Sequence, residues 1–170
     1  MSAQVVGKRL PLGSAGTVTQ GSDTLVTNRI SNDIIPFGSA VALNGDNTVA
    51  AFGATNIASN FVGFAVRIVK QQQAVFETVG AYSNGELADV LTRGVIAVNF
   101  KGQGTPQAGS PVFLRIAENE LLPNAMIGDV EAQADVVGED TNTIQITNAV
   151  FRTGIVTDGV VEVTVTERRV

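Results

Sequence analysis

Histidine, cysteine and tryptophan are absent from this chain of 170 residues. Without histidine, the commonest general acid–base, the Ser-His arrangements and imidazole metal ligation are all excluded. Without cysteine there is no disulfide, no thiolate metal site and no thiol nucleophile. Charge is sparse too: 16% of residues are charged, and the net charge is −5. An acidic, charge-poor surface gains little from approaching phosphates, which disfavours direct nucleic-acid binding. Charge depletion also marks surface that becomes buried between partners, although a large core gives the same average. Residues 1–13 lack the long apolar stretch of a secretory signal. No run approaches the ~18 apolar residues needed to span a bilayer. The chain is therefore expected to be soluble, unexported and without a membrane partner.

What is present is aliphatic. Hydrophobic residues reach 44% while aromatics reach only 5%, so the apolar content is mostly Val, Ala, Ile and Leu. Beta-branched side chains pack well on a pleated surface, and this bias favours sheet over helix. Eighteen glycines and five prolines punctuate the chain as short strands joined by turns require. Residues 1–22, with Gly7, Pro11, Gly13, Gly16 and Gly21, show little periodicity. They read either as an extended N-terminal arm ordered against a neighbour or as a frayed terminus.

Residues 23–170 read as a β-rich body. Val161, Val163 and Val165 alternate with Glu162, Thr164 and Thr166; Ile144 and Ile146 alternate with Gln145 and Thr147; Val112, Leu114 and Ile116 alternate with Phe113 and Arg115. Each run presents one apolar and one more polar face. Residues 61–69 and 94–100 are nearly continuous in apolar side chains, which suits strands covered on both faces. Asn44-Gly45-Asp46, Ser83-Asn84-Gly85 and Asp158-Gly159 are strong turn signals. Only residues 56–60 and parts of 119–134 leave room for a short turn or helix, and Pro123 interrupts the latter. The expected class is all-β: a compact β-barrel or β-sandwich of short, mostly antiparallel strands with little helix. A weak internal repeat accompanies this pattern. Gly38-Ser39-Ala40-Val41-Ala42-Leu43 echoes Gly109-Ser110-Pro111-Val112-Phe113-Leu114, and Asn84-Gly85 echoes Asp158-Gly159, each leading into an apolar stretch. Two related halves, about 23–100 and 101–170, would follow. The middle pairing, Gly63-Phe64-Ala65-Val66 with Gly154-Ile155-Val156, needs compensating insertions.

Carboxylate pairs are the best remaining candidates for chemistry: Glu86 with Asp89, Glu118 with Glu120, and Asp129 with Glu131. Two carboxylates serve glycoside hydrolysis in a cleft of suitable width, but such clefts usually display aromatic stacking surfaces, which this chain scarcely has. Solvated turns and strand faces account for these residues better. Asn44-Gly45-Asp46-Asn47 lacks the spaced acidic ligands and terminal Glu of a calcium-binding loop and reads as a hairpin turn. Gly102-Gln103-Gly104 lacks the strand-to-helix setting of a phosphate cradle. Arg168 and Arg169 suit either a grip on an acidic partner or a solvated tail. The eight phenylalanines, at 37, 52, 61, 64, 76, 100, 113 and 151, read chiefly as core anchors, with one or two available as interface anchors. No catalytic, cofactor-binding or metal-binding residue is assigned, no cofactor is expected, and the chain is not read as an enzyme.

The middle of the chain carries an ordered set of motifs. Phe61-Val62-Gly63-Phe64-Ala65-Val66 is followed by Tyr82-Ser83-Asn84-Gly85-Glu86, then by Arg93-Gly94-Val95-Ile96-Ala97-Val98, then by Ala108-Gly109-Ser110-Pro111-Val112-Phe113-Leu114. In this order they resemble the cement, or head decoration, proteins of tailed-bacteriophage capsids, most clearly over about residues 60–115. The resemblance implies a compact β-barrel or sandwich on the outer surface of an expanded capsid in the virion. It implies the major capsid protein as partner, bridged between subunits and so stabilised, and a homo-oligomer, trimeric more readily than dimeric. The rival readings are another virion part, such as a tail-tube, baseplate or fibre-base module, and a carbohydrate-binding or carbohydrate-active module.

Overall fold

The structure, a computed structural model, describes residues 13–68, 80–137, 140–154 and 159–167. Its strands are β1 (Val18–Ile30), β2 (Ile35–Pro36), β3 (Ala40–Leu43), β4 (Val49–Ala51), β5 (Phe61–Ala65), β6 (Ala81–Tyr82), β7 (Leu87–Asn99), β8 (Pro111–Arg115), β9 (Val130–Glu131), β10 (Val136–Val137), β11 (Asp140–Thr141), β12 (Thr143–Phe151) and β13 (Val160–Val165). The fold is all-β. A single turn of 3₁₀ helix at Ala58–Asn60 falls within the short stretch the sequence left open to helix. Residues 119–129 form turns before β9 begins, because Pro123 has no amide proton and in a helix its ring would clash with the carbonyl four residues back.

One curled antiparallel sheet holds nine of the strands, in the order β4-β3-β5-β7-β13-β12-β8-β9, with β1 alongside β7. Its spine is β7. One edge pairs with β1, from Ile30↔Leu87 to Val18↔Ile96. The other edge pairs first with β5, at Ala65↔Val90 and Phe64↔Leu91, and then with β13, from Val165↔Gly94 to Val160↔Asn99. Gly63 makes the first junction feasible. A Cβ there would lie 1.9 Å from the Leu91 carbonyl oxygen, so only glycine lets β5 come this close to β7.

The strand order reads the same from both ends, and the hydrogen bonds repeat with it. Gly38, at φ +79°, and Gly109, at φ +84°, each turn the chain into the first strand of a set. After each comes a serine whose backbone N–H and Oγ both donate to the carbonyl three residues back, Ser39 to Pro36 and Ser110 to Gln107. The Gly38 amide donates to Ala65 O at 2.8 Å and the Gly109 amide to Phe151 O at 2.7 Å. The Ala65 amide returns to Ser39 O, and the Phe151 amide to Ser110 O, both at 3.0 Å. Val66 N–H bonds Asp89 O, and Arg152 N–H bonds Glu162 O, both at 2.8 Å. Hence β3-β4-β5-β7 and β8-β9-β12-β13 are equivalent sets, and β7 meets β13 antiparallel at the centre. The structural partner of Ala65 is Phe151. Of the Gly154-Ile155-Val156 stretch set beside Gly63-Phe64-Ala65-Val66 in the sequence, residues 155 and 156 lie outside the described residues.

The alternating runs face as their period requires. Val161, Val163 and Val165 of β13, Val112 and Leu114 of β8, and Ile146 of β12 enter one core with Phe61, Phe64, Phe100 and Phe151. Edge-to-face ring contacts, Phe61 with Phe64 at 5.3 Å and Phe100 with Phe151 at 5.9 Å, tie both sets into it. A second cluster beneath the first set gathers Ile35, Phe37, Val41, Val49, Tyr82 and Val90. There the Tyr82 hydroxyl donates to Val66 O at 2.7 Å, and burial pushes its pKa up to about 12.

Of the segment read as an arm, residues 1–12 lie outside the described residues. Residues 13–17 are stitched to the body: the Gly16 amide donates to Ala97 O, the Ala97 amide to Thr17 O and the Arg67 amide to Gly16 O, at 2.8, 2.9 and 2.8 Å. The boundary drawn at residue 22 falls within β1. Phe76, Asp158, Arg168 and Arg169 also lie outside the described residues.

Candidate interaction surface

The two most exposed large apolar side chains of the described residues lie on the segment where the chain leaves β8 and returns as β9. Leu121 is 81% exposed and Met126 65%, with Ile127 partly exposed beside them. The segment carrying them is held by successive turns: Leu122 N–H to Asn119 O at 2.8 Å, Ala125 N–H to Leu122 O at 3.0 Å, and Asp129 N–H to Met126 O at 3.0 Å. Two side chains add to the backbone bonds, Asn119 Oδ1 accepting from the Leu121 amide at 2.9 Å and Asp129 Oδ2 from the Met126 amide at 2.8 Å. Leu122, Pro123, Ala125 and Met126 line a cleft of about 620 Å³. On the other side of Met126 and Ile127 lies a smaller cleft of about 270 Å³, walled by Phe37, Ala40, Phe52 and Lys101.

Beneath this segment is a buried ionic cluster. On β8 the alternation places Arg115 on the face opposite the core, where water would be expected, yet it is fully buried. Its Nε lies 2.5 Å from Glu131 Oε1, its Nη2 2.8 Å from Asp135 Oδ2, and its Nη1 donates to Ala117 O at 3.1 Å. Asp135 also accepts from Asn119 Nδ2 at 3.0 Å and from Asn142 Nδ2 at 3.3 Å, while its amide donates to Thr143 Oγ1 at 2.9 Å. Burial alone would raise the Asp135 carboxyl; the hydrogen bonds from Asn119, Arg115 and Asn142, with the arginine charge, outweigh it and hold the pKa below the usual carboxylate range. Gly102-Gln103-Gly104 covers the cluster from the side. A Cβ on Gly102 would lie 2.1 Å from Glu131 Cγ, and the Ala132 amide donates to Gln103 O at 2.9 Å, so this glycine pair serves close packing.

The structure places the carboxylates singled out from the sequence in separate roles. Glu86 accepts from the Ser83 amide at 2.7 Å in the turn before β7, and Asp89 accepts from Asn28 Nδ2 across the β1–β7 pair. Glu118 and Glu120 are exposed on the turn segment, Asp129 caps a turn within it, and Glu131 is buried against Arg115. The nearest thing to a carboxylate group is therefore Glu131 with Asp135, neutralised in part by a guanidinium. Among the described residues no three carboxylates gather as metal ligands would. Asp46, in the Asn44-Gly45-Asp46-Asn47 turn joining β3 to β4, accepts from the Thr48 amide at 3.0 Å and from Thr48 Oγ1 at 2.6 Å. These bonds hold its pKa low and close the turn.

Sequence reasoning did not find the Arg115 cluster or single out the apolar tip above it. The available signal was an arginine between Leu114 and Ile116, followed by Leu121, Leu122, Met126 and Ile127 in a segment unable to form a helix. A second surface feature is the outer edge of β1, which pairs with no strand among the described residues.

No match was found among curated proteins. A chain from the solved capsid of Myoviridae phage XM1 is similar in fold, with a TM-score of 0.65 at 17% sequence identity, over 96% of this chain and 97% of that one. Residues 1–166 match the profile of the structural cement proteins, described by E217 gp24 and Pam3 gp6. The all-β body and its ordered motifs thus have a family: this chain belongs to the structural cement proteins of phages.

Proposed function

We propose that this protein binds the outer surface of an expanded phage capsid and stabilises it by bridging major capsid protein subunits. The observation that carries the reading is the family match across residues 1–166. The body supports it: a curled sheet with one shared core resists deformation as a unit, so a load applied between two contacts is transmitted and not absorbed. The role is non-enzymatic and needs neither cofactor nor nucleic acid. A homo-oligomer, trimeric or dimeric, multiplies modest contacts through effective concentration. The N-terminal segment read as an arm, residues 1–22, supplies a further contact to a neighbour, and its first 12 residues, outside those described, are the part to test. The body is two related halves, about 23–100 and 101–170, on a common core, a division supported by the repeated hydrogen bonds at Gly38-Ser39 and Gly109-Ser110.

The test is to add purified protein to empty expanded heads lacking it, then measure sedimentation with the heads and their resistance to heat. Saturable binding that raises the disruption temperature is expected, with density on the outer surface by electron microscopy. Heads that neither bind the protein nor gain stability would overturn the reading. Deleting residues 1–12 is expected to weaken attachment several-fold while thermal unfolding of the body is unchanged. Equal binding by the shortened and complete chains would remove the arm from the account.

A further inference from the structure

Resting on that reading, we infer that the turn segment at residues 117–129 is the knob by which this chain docks. Its partner is an apolar pocket on the capsid shell protein rimmed by lysine or arginine. On this one segment Leu121 is 81% exposed and Met126 65%, and Met126 lines a cleft with Leu122, Pro123 and Ala125; exposed apolar surface of this kind marks interaction sites. Loose loops expose apolar residues by chance; this one does so while its backbone is pinned. Its turns close on themselves, Gly128 N–H bonds Arg115 O at 2.8 Å, and Asn119 is tied to the buried Arg115–Asp135 pair. A preorganised knob loses little entropy on binding.

Charge selects the occupant. Arg115 is taken up by Glu131 and Asp135, and Lys101 lies in the cleft on the far side of Met126 and Ile127, so the charge on the Leu122–Met126 side is that of the glutamates. Glu118 and Glu120 stand exposed beside the apolar tip. A second copy docking through the same patch would place these glutamates against their own counterparts, since a two-fold contact is self-complementary, and like charges brought together oppose association. A basic rim around an apolar pocket satisfies both features.

The experiment compares the complete protein with Leu121→Ser/Met126→Ser, with Glu118→Gln/Glu120→Gln, and with the control Ile57→Ser/Leu87→Ser, which removes exposed apolar side chains elsewhere. Binding to empty expanded heads is titrated at low and high salt, beside thermal unfolding and mass in solution. The inference expects the serine pair at the knob to weaken attachment about tenfold or more, as loss of a central anchor does. Unfolding and mass should stay as in the parent, and the control should bind like the parent. It also expects the glutamine pair to bind with less salt dependence than the parent. Parent protein that fails to bind heads would overturn the functional reading and this inference together. Parent binding with undiminished attachment of the knob variant would overturn the inference alone. So would loss of self-association in place of head binding, which would make a second copy the occupant. An unaltered salt dependence in the glutamine pair would overturn the basic rim.

Discussion

Arg115 shows how far one side chain can depart from what its neighbours imply. Alternation along β8 sets it opposite Val112 and Leu114, but alternation says only which face a residue occupies, not whether something covers that face. The covering residues, Glu131 and Asp135, lie 16 and 20 positions further on, beyond any local pattern. Replacing Arg115 with Met is expected to cost about 3–5 kcal/mol, because a buried carboxylate is left uncompensated; denaturant unfolding would measure it, and a loss under 1 kcal/mol would contradict the cluster. Asp135 gives the cluster a pH signature. Its folded pKa lies below the unfolded value, about 3.9, so its contribution is present above that pH and is lost as pH falls through the folded pKa. The stability difference between the parent and Asp135→Asn should therefore shrink as pH is lowered from 5 to 2. A difference independent of pH would mean that the carboxylate charge is not what Arg115 requires. Gly63→Ala is expected to destabilise by about 3 kcal/mol through overpacking against Leu91. Ordinary stability in that variant would show that β5 can draw back from β7.

At the scale of elements, the strands were legible wherever one face meets the core. The runs at Val161, Ile144 and Val112 and the turns at Asn44 and Ser83 all fall where the sequence puts them, because period and turn chemistry are local. Less legible was β1. Its first residues, 18–22 with Gly21, read as the end of an arm, yet Val18 and Gln20 pair with Ile96 and Val95, and the strand then bulges by several residues before Leu25 meets Arg93. Glycine at 21 suits a bulge as well as a free segment, and only the partner strand distinguishes them. The stitch at Gly16 makes this testable. Deleting residues 1–21 removes three backbone hydrogen bonds to Ala97 and Arg67 together with the start of β1. It should cost about 3 kcal/mol at roughly 1 kcal/mol per bond, read as a lowered denaturant midpoint that the deletion of residues 1–12 does not show. The knob at 117–129 was hidden for another reason: its order comes from asparagine and aspartate bonds to its own backbone, which leave no hydrophobic period to read.

The molecule as a whole is two strand sets sharing a seam. Neither set closes alone, since the edge of β7 from Gly94 to Asn99 is satisfied by β13 and the edge of β13 by β7 and β12. A fragment of residues 13–103 is accordingly expected to self-associate through that open edge, an unpaired strand being a template for another chain. Light scattering that finds a stable, folded monomer would show the first set to be self-sufficient. The seam also dictates an order in time. Because β13 follows β7 in the chain, with β8 to β12 between them, β7 must wait with one edge unsatisfied until β13 has been made. Pairing strands so far apart in the chain is slow, and the waiting edge invites misassembly. Closing of the seam is thus a late event, and it is what removes the open edge of the nascent sheet.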